Sequence, residues 1–336
     1  MIKSLFVLFL LLSLLPRLAL SQERVRKVYA WASCYNTSAQ IAQLRNSSWS
    51  QVIDGIQAFC GVSFRQEDGG FHVDPTEWTL CEGLRRACKD TGTEFHVVIT
   101  DRVPNELNNL DTFLVDAIQF AIDNDIQGYS LDDEYDCSPR STVPMFQEWM
   151  VWINQLAEGL HGAGLPLTIA IQAMSGIQDV PYQPHCGPNK TAADCSQSCR
   201  YIPEAYPYDP RVTQLMASST VDVWLAMDTY YYTTGRFLGC LDWYATYVPA
   251  TKLGIGMMNR DDLTMDGLQA RFHVIDRSGV EWINHFLLPI DEQFLPSLTR
   301  WKSRCKGCGK QSILGCYDFD IDCIDDALSN QGFGQS

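Results

Sequence analysis

The feature that most constrains the fold is a regular alternation of short apolar, β-branched runs with stretches of helical periodicity. The strand-like runs are nearly continuously apolar, which is typical of parallel strands covered by helices on both sides. The eight predicted strands span residues 27–33, 56–64, 94–100, 128–134, 166–173, 221–228, 252–258 and 310–320. Eight such βα units favour a closed (β/α)8 TIM barrel over an open doubly wound sheet, and the first strand-to-helix turn has no G-x-G-x-x-G.

One long segment interrupts this alternation. Residues 175–209 are rich in Pro and Tyr, show no clear periodicity, and carry Cys186, Cys195 and Cys199. A loop of this length inside a compact domain is usually functional or held by disulfides. We therefore expect a cysteine-containing insertion after the fifth strand of a single barrel domain that spans residues 22–336.

The first 21 residues have the pattern of a secretory signal peptide. Lys3 provides a positive start, and residues 5–15 form an apolar run that is too short and too early for a transmembrane helix. Small residues flank Leu20 at the spacing of a cleavage site. The sequence predicts cleavage near Ser21 and delivery to the extracellular space or to a lysosomal or vacuolar lumen. Because no later run is long and apolar enough to span a bilayer, we expect no membrane attachment.

Cysteine usage agrees with an oxidising compartment. The chain has 13 cysteines, most of which should pair there, and the odd number leaves at least one unpaired or bonded between chains. Their connectivity cannot be read from the sequence. Cys305 and Cys308 form a lone C-x-x-C, for which a disulfide is the default expectation, so no metal site is predicted. Three sequons mark candidate N-glycosylation acceptors, Asn36, Asn46 and Asn189.

The charge of the chain limits its partners. Its formal net charge is −15, and removal of the predicted signal with Lys3 and Arg17 takes this to about −17. An acidic chain repels nucleic acid and anionic membranes, whereas neutral ligands such as sugars are unaffected. We therefore expect a carbohydrate partner and neither nucleic acid nor a membrane.

The fourth predicted strand ends in an unusual crowd of carboxylates, since four of residues 132–136 are acidic. Side chains alternate along a strand, so Asp132 and Glu134 should both point into the mouth of the barrel while Asp133 points away. Two carboxyls this close share a proton, which raises one pKa and lets that group act as an acid near neutral pH. Glycoside hydrolysis needs such a pair, and barrel active sites lie at this end of the strands. The alternatives are a solvated acidic turn or a calcium loop, although the spacing lacks the EF-hand pattern.

The run L-D-D-E-Y at residues 131–135 resembles the catalytic motif D-x-x-D-x-D-x-E of the family 18 glycoside hydrolases. Within that family it looks most like the bacterial endo-β-N-acetylglucosaminidases, which also follow the motif with Tyr. The run A-M-D-T-Y-Y-Y at residues 226–232 is similar to the family's Met/aromatic segment on strand six. The order of eight strands matches as well.

This resemblance implies a mechanism for the chain. Glu134 would be the general acid, and Asp132 would hold the substrate's N-acetyl group so that its carbonyl oxygen attacks the anomeric carbon. Tyr230 or Tyr231 would hydrogen-bond the same acetamido group, and Asp228 would line its subsite. The implied activity is hydrolysis of β-linked N-acetylglucosamine in chitin, chitooligosaccharides or N-glycans, by a substrate-assisted retaining route without a cofactor.

The chain also departs from the family pattern. The first Asp of the motif is Gln127 here, and the second is Ser130, which can donate a hydrogen bond but cannot take a proton. The family's Trp at the end of strand eight is missing, and Tyr317 is the nearest aromatic residue. A non-catalytic, secreted glycan-binding or structural protein is therefore the alternative function, and an unrelated reaction on the same scaffold is a third.

The chain is rich in aromatic residues, whose rings can stack on the apolar faces of sugars. Most are expected to pack in the core; Trp149, Trp152 and Trp282 lie in helical patterns, and His96 should be a hydrogen-bonded core residue. The candidate sugar contacts are those at predicted strand ends, Trp31, Trp224 and Tyr317.

Overall fold

The computed structural model describes residues 26–65, 69–100, 110–133, 143–171, 210–229, 237, 241, 244–259 and 263–303. The predicted signal peptide, the predicted insertion at residues 175–209 and the predicted strand at residues 310–320 lie outside these ranges. Within them, no helix is both long enough and apolar enough to cross a membrane.

The described strands form a closed barrel, which confirms the predicted fold class. Eight parallel strands pair in the order β1-β2-β4-β5-β6-β7-β8-β9, and β9 pairs back onto β1. The short strand β3 pairs antiparallel with the end of β2. Their bounds are β1 Lys27–Ser33, β2 Gly55–Phe64, β3 Phe71–Val73, β4 Glu94–Thr100, β5 Gly128–Asp133, β6 Leu167–Ile171, β7 Val223–Ala226, β8 Leu253–Met258 and β9 Trp282–Phe286.

Helices follow the strands in the alternation that the sequence predicts. They are α1 Thr37–Arg45, α2 Ser47–Ser50, α3 Pro75–Leu80, α4 Glu82–Thr91, α5 Leu110–Asn124, α6 Val143–Gly162, α7 Pro210–Ser218, α8 Met265–Ser278 and α9 Leu295–Ser303. Local chemistry sets several of their ends. Asp74 caps α3 by accepting hydrogen bonds from the backbone N–H groups of Thr76 and Glu77, with Pro75 in the first turn. Gly92 ends α4 in the left-handed conformation at φ 72°.

The prediction for the eighth strand is wrong. The structure closes the barrel with β9, in the segment where Trp282 suggested a helix, and not with residues 310–320. Polar side chains explain the error: Asn284 and His285 are both fully buried in the middle of β9 and interrupt its apolar pattern. A strand of five residues with two polar ones gives a weak periodic signal.

Two layers of buried side chains hold the barrel together. The larger layer lies between the strands and the helices, where the Tyr129 hydroxyl donates a hydrogen bond to the Ala117 carbonyl at 2.7 Å. The smaller layer fills the interior of the barrel and includes Trp31, Val98 and Leu225. Side chains alternate between these two layers along each strand. Only every second residue of a strand can therefore face a ligand in the barrel mouth.

Strand β2 is longer than its neighbours and carries an irregularity. Its register against β4 shifts between Ala58 and Val62, as at a β-bulge. Gly61 lies in this bulge at φ 70°, and a Cβ there would stand 2.7 Å from the Cβ of Glu77. The bulge therefore requires glycine, and it sets the C-terminal end of β2 against α3.

Candidate functional site

The candidate site lies at the C-terminal end of the fourth barrel strand, β5. Tyr129 and Leu131 belong to the layer between strands and helices, so Ser130 and Asp132 face the barrel interior. Ser130 is fully buried, and Asp132 is half-buried beside Ala170 of β6. The structure thus brings Ser130 and Asp132 together on the inner wall, in the register that the sequence predicts.

A layer of hydrogen-bonded side chains crosses the barrel beneath this site. The Gln57 amide lies 2.8 Å from the Thr168 hydroxyl and 2.7 Å from the Asn284 amide. The Asn284 amide also lies 2.6 Å from the indole nitrogen of Trp31. Because an indole N–H only donates, the Asn284 oxygen must face Trp31. This layer fixes Trp31. It separates the upper end of the interior, at the C-terminal ends of the strands, from the lower end, at their N-terminal ends.

Ser130 lacks the hydrogen bonds that join the residues of this layer. Among the residues that the structure describes, none forms a hydrogen bond with its Oγ atom. A buried hydroxyl without a partner costs about 1–3 kcal/mol, so such a group usually has a functional or water-mediated explanation. Position 130 is also where the sequence departs from the resembled motif.

The rim of the site is aromatic and sulfur-rich. Trp31 stacks on Phe59 with ring centroids 5.1 Å apart, and Met227, Met258 and Phe286 join the same interior cluster. Trp31 is only 2% exposed, so it forms part of the inner wall and its contact with a sugar remains a prediction. Sequence reasoning missed Phe286 because the eighth strand was misplaced. The run W-I-N-H-F does not alternate between apolar and polar residues, so its periodicity gives no signal for Phe286.

Thr229 fixes the turn that follows β7. Its buried hydroxyl lies 2.8 Å from the Ala226 carbonyl and 2.9 Å from the Gly256 carbonyl. These contacts hold the 3-10 turn Met227–Thr229, and with it the main chain of Asp228, above the end of β7. The side chain of Asp228 is outside the described part of the chain.

Several other predicted site residues also lie outside the described residues. They are the expected general acid Glu134, the candidate site tyrosines Tyr230, Tyr231 and Tyr317, and the glycosylation acceptor Asn189. Their roles stay predictions. The main chain of β5 runs to Asp133, so Glu134 follows directly from the end of the described strand.

Trp224 is not part of the site, and its predicted sugar contact is wrong. Its indole nitrogen donates to the Met216 carbonyl at 3.0 Å and to the Ser219 hydroxyl at 3.1 Å, both outside the barrel. Its ring packs against Trp149 of α6 with centroids 6.1 Å apart. Trp224 therefore points outward from β7 and belongs to the core between strands and helices.

Gln127 has a structural role at the opposite end of β5. Its amide oxygen accepts the backbone N–H of Phe95 at 2.9 Å, and its amide nitrogen donates to the Asp125 carbonyl at 2.5 Å. These bonds join the N-terminal ends of two neighbouring strands. The hydrogen bonds of Gln127 thus explain the departure from the motif at this position. Gln127 lies five positions before Asp132 in the chain.

The two described sequon asparagines both lie at exposed helix starts. Asn36 precedes α1 in the left-handed conformation, φ 56°. Asn46 precedes α2, and its side-chain oxygen accepts the Ser48 backbone N–H at 2.9 Å. This cap uses the amide oxygen and leaves the amide nitrogen, where a glycan attaches, directed elsewhere. Both positions are accessible, and their glycosylation stays a prediction.

The N-terminal end of the interior is filled by an ion-paired aromatic cluster. Glu94 accepts hydrogen bonds from the Tyr29 hydroxyl and from His96 at 3.2 Å, and it pairs with Lys27 at 3.2 Å. Burial alone would raise the pKa of Glu94, but the hydrogen bonds from His96 and Tyr29 and the charge of Lys27 lower it to about 2. Burial and the charge of Glu94 in turn raise the pKa of Tyr29. His96 is buried and hydrogen-bonded, as the sequence predicts.

The comparison with known proteins supports the barrel. No family model matches this chain, and no curated protein matches it. Solved structures do share its fold. A spore cortex-lytic enzyme, SleL of Bacillus megaterium QM B1551, has a TM-score of 0.59 at 11% identity over 82% of this chain and 74% of its own. A class V chitinase from Pseudomonas fluorescens Pf-5 has a TM-score of 0.58 at 12% identity over 82% of this chain and 98% of its own.

A third structure on the same scaffold is described as an agglutinin rather than an enzyme. The chitinase-like agglutinin of Robinia pseudoacacia has a TM-score of 0.53 at 11% identity over 82% of this chain and 99% of its own. At such low identities the likeness concerns the fold. The chain shares a TIM-barrel scaffold with these structures.

Proposed function

We propose that this protein is a glycoside hydrolase that cleaves β-linked N-acetylglucosamine in chitooligosaccharides or N-glycans. The observation that carries the proposal is the placement of Asp132. It is a half-buried carboxylate on the inner wall, at the C-terminal end of the fourth barrel strand. Active sites of TIM barrels are built at this end of the strands. The chitinase-like scaffold supports the choice of substrate class.

In this proposal the two carboxyls of β5 have different roles. Glu134, two positions beyond Asp132, protonates the leaving oxygen as the general acid. Asp132 stays ionised, orients the acetamido group and stabilises the positive charge that develops on the ring formed from it. Partial burial strengthens this electrostatic contact because less water screens it. No enzyme nucleophile and no cofactor are required, and Tyr230 or Tyr231 completes the acetamido site together with Asp228.

The upper interior suits a sugar ring in two further respects. The wall near Asp132 includes the small residue Ala170, its partner on the neighbouring strand β6. Trp31, Phe59 and Phe286 form an apolar wall on the opposite side of the barrel. A pyranose has apolar faces and polar edges, so a wall of rings opposite a carboxylate matches its two kinds of surface.

The test is turnover of chitooligosaccharides and of a high-mannose glycopeptide by the full chain between pH 4 and 8. We expect Glu134→Gln to lower kcat/KM by about 10³-fold, as for loss of a general acid. Asp132→Asn should lower it by about 10²-fold, through loss of electrostatic stabilisation. The matched control is Asp133→Asn at the adjacent strand position, which the sequence predicts to face away from Asp132, and it should leave kcat/KM within about twofold. A folded protein without turnover on either substrate would refute the hydrolase.

A second function, glycan binding without hydrolysis, is favoured by Ser130. A carboxyl beneath Asp132 belongs to the resembled motif, and this chain has a buried hydroxyl in its place. The agglutinin on the same scaffold is described by binding rather than catalysis. Binding of N-acetylglucosamine oligomers that Glu134→Gln leaves unchanged, in a sample that releases no product, would establish this alternative.

A further inference from the structure

Three buried cysteines meet beside the upper end of the barrel. Cys34 follows the last residue of β1, Cys60 lies in the irregular part of β2, and Cys81 stands between α3 and α4. Their sulfur atoms all lie within 4.8 Å of one another. Their exposed fractions are only 4%, 0% and 1%. Within the described residues, no other set of three ligating side chains is as close together.

Backbone geometry allows two different disulfides within this cluster. The Cα atoms of Cys34 and Cys81 are 4.9 Å apart, and those of Cys60 and Cys81 are 5.9 Å apart. Both distances lie within the range of about 4.4–6.8 Å that a disulfide requires. A sulfur atom forms one disulfide at a time, so either bond leaves the third cysteine as a thiol in contact with it.

We propose that Cys34, Cys60 and Cys81 form an internal thiol–disulfide exchange site in which Cys81 bonds alternately to Cys34 and to Cys60. When Cys60 and Cys81 are bonded, the Cys34 thiol loses its proton and its thiolate attacks the sulfur of Cys81. The Cys34–Cys81 bond forms as the Cys60–Cys81 bond breaks, and Cys60 leaves as a thiolate that takes up the proton. Atoms, electrons and charge balance without an external oxidant or reductant.

The surroundings of the sulfurs favour exchange inside the cluster. The Cys34 thiol contacts the Phe59 carbonyl, and the sulfur of Cys81 lies 3.6 Å from the same oxygen. This carbonyl precedes Cys60 directly, so all three sulfurs converge on one peptide. Burial keeps external thiols away from the cluster, so exchange should be confined to these three residues. Burial also disfavours the thiolate, so exchange should be slow.

The two isomers tie different strands to the same helical junction. A bond to Cys34 links the end of β1 to the α3–α4 junction, and a bond to Cys60 links β2 to it instead. The loop after β1 also contacts α3 directly, because the Tyr35 hydroxyl donates to a carboxyl oxygen of Glu77 at 3.0 Å. The inference rests on these sulfurs alone and does not depend on the proposed hydrolase activity.

The test is disulfide mapping of the full chain by mass spectrometry, after unfolding and alkylation at acid pH and digestion without reduction. We expect both linked peptides, Cys34–Cys81 and Cys60–Cys81, in one preparation, with one alkylated thiol per cluster. Cys34→Ser should leave only the Cys60–Cys81 peptide, and Cys60→Ser only the Cys34–Cys81 peptide. The ratio of the two should be the same in native protein and in protein refolded from the reduced chain, because exchange reaches equilibrium from either start.

The matched control is Cys88→Ser. Cys88 is also buried on α4, has no disulfide partner among the described residues, and has a pKa raised to about 12 by burial. Its replacement should change neither linkage nor ratio. A single linkage in every molecule, a ratio that depends on the preparation, or a Cys81 bonded to a cysteine elsewhere would overturn the proposal. So would three reduced thiols with one bound zinc or copper ion per chain in native mass spectrometry.

Discussion

The two ends of the barrel interior are filled in opposite ways. At the N-terminal end, Tyr29, His96 and Trp282 pack as large rings, and Gly128 provides the space for one of them. At the C-terminal end the wall around Asp132 carries the small or polar residues Ser130 and Ala170, and the rings of Trp31, Phe59 and Phe286 lie on other strands. The lower end pairs the carboxylate of Glu94 with Lys27 and His96, and only Nδ1 of His96 lacks a partner there, whereas Ser130 at the upper end has no partner in the described part of the chain.

The two ends therefore have different roles: the lower end serves the stability of the barrel, and the upper end serves its proposed chemistry. Well-packed layers with paired polar groups raise the free energy of unfolding, and buried polar groups without a partner lower it. The cost is tolerated at the end where TIM barrels place their ligands. Substitutions at the lower end should therefore change stability and leave turnover alone, whereas substitutions at the upper end should change turnover or its pH dependence.

The largest expected effect is that of Ser130→Asp, which adds a carboxyl to the upper end. A buried carboxylate beside Asp132 should lower the free energy of unfolding at pH 8 by about 2–4 kcal/mol. It should also raise the pKa of at least one carboxyl of the site and move the acid limb of the kcat/KM profile up by about one pH unit. Denaturant melts and pH–rate profiles measure the two effects.

Ser130→Asn is the matched control for this change, because it adds nearly the same volume without a charge. Its stability cost should not depend on pH, and its acid limb should match that of the parent. If Ser130→Asp leaves the profile unmoved while the protein remains active, position 130 is not coupled to Asp132 and the contrast between the two ends loses its electrostatic part.

An intermediate effect is expected at Gly128, at the lower end. A Cβ there would stand 2.7 Å from Cε1 of His96 and 2.9 Å from Cγ of Pro166, so Gly128→Ala should destabilise by about 1–3 kcal/mol. Turnover of the folded protein should not change. Gly162→Ala, at the end of α6, meets no atom within 4 Å and should be neutral or stabilising by up to about 1 kcal/mol. Equal melting temperatures for the two variants would contradict tight packing around His96.

The smallest effect concerns Glu94 and pH. Its pKa in the folded protein is about 2, below the ordinary value of 4.5, so its stabilising contribution is present above pH 4.5 and is lost as the pH falls towards 2. Because Glu94 is partly exposed, the contribution should be only about 1 kcal/mol. Glu94→Gln should therefore lose less stability than the parent between pH 5 and 3 in urea melts. Parallel curves would show that the contacts with His96, Tyr29 and Lys27 do not favour the ionised form of Glu94.

The sequence predicts most of this barrel because parallel strands covered on both sides are apolar throughout. Seven of the eight strands were predicted within a few residues, and Asp132 was assigned to the correct face. Periodicity does not reveal a strand whose apolar pattern is interrupted by polar residues, as at Asn284 and His285 in β9. It also missed β3, a three-residue strand beyond a Gly-rich turn, because so short a run has no measurable period.

The candidate site was harder to predict than the fold. Trp31 and Trp224 are both strand tryptophans, yet one faces inward and the other outward. A shift of one residue in the assumed register exchanges these faces, and composition does not reveal it. Gln127 and the three clustered cysteines depend on contacts between segments that are distant in sequence, which periodicity cannot supply.

Closure of the barrel by β9 has a consequence for the making of the protein. Strand β1 is synthesised early, but its partner on one side begins at Trp282, 255 positions after Lys27. At about 5–20 residues per second, that edge of β1 waits tens of seconds for the ribosome to supply its neighbour. An unpaired strand edge is a template for association with other chains. The yield of native protein should therefore be governed less by its final stability than by elongation rate and by chaperones that shield the open sheet during translation.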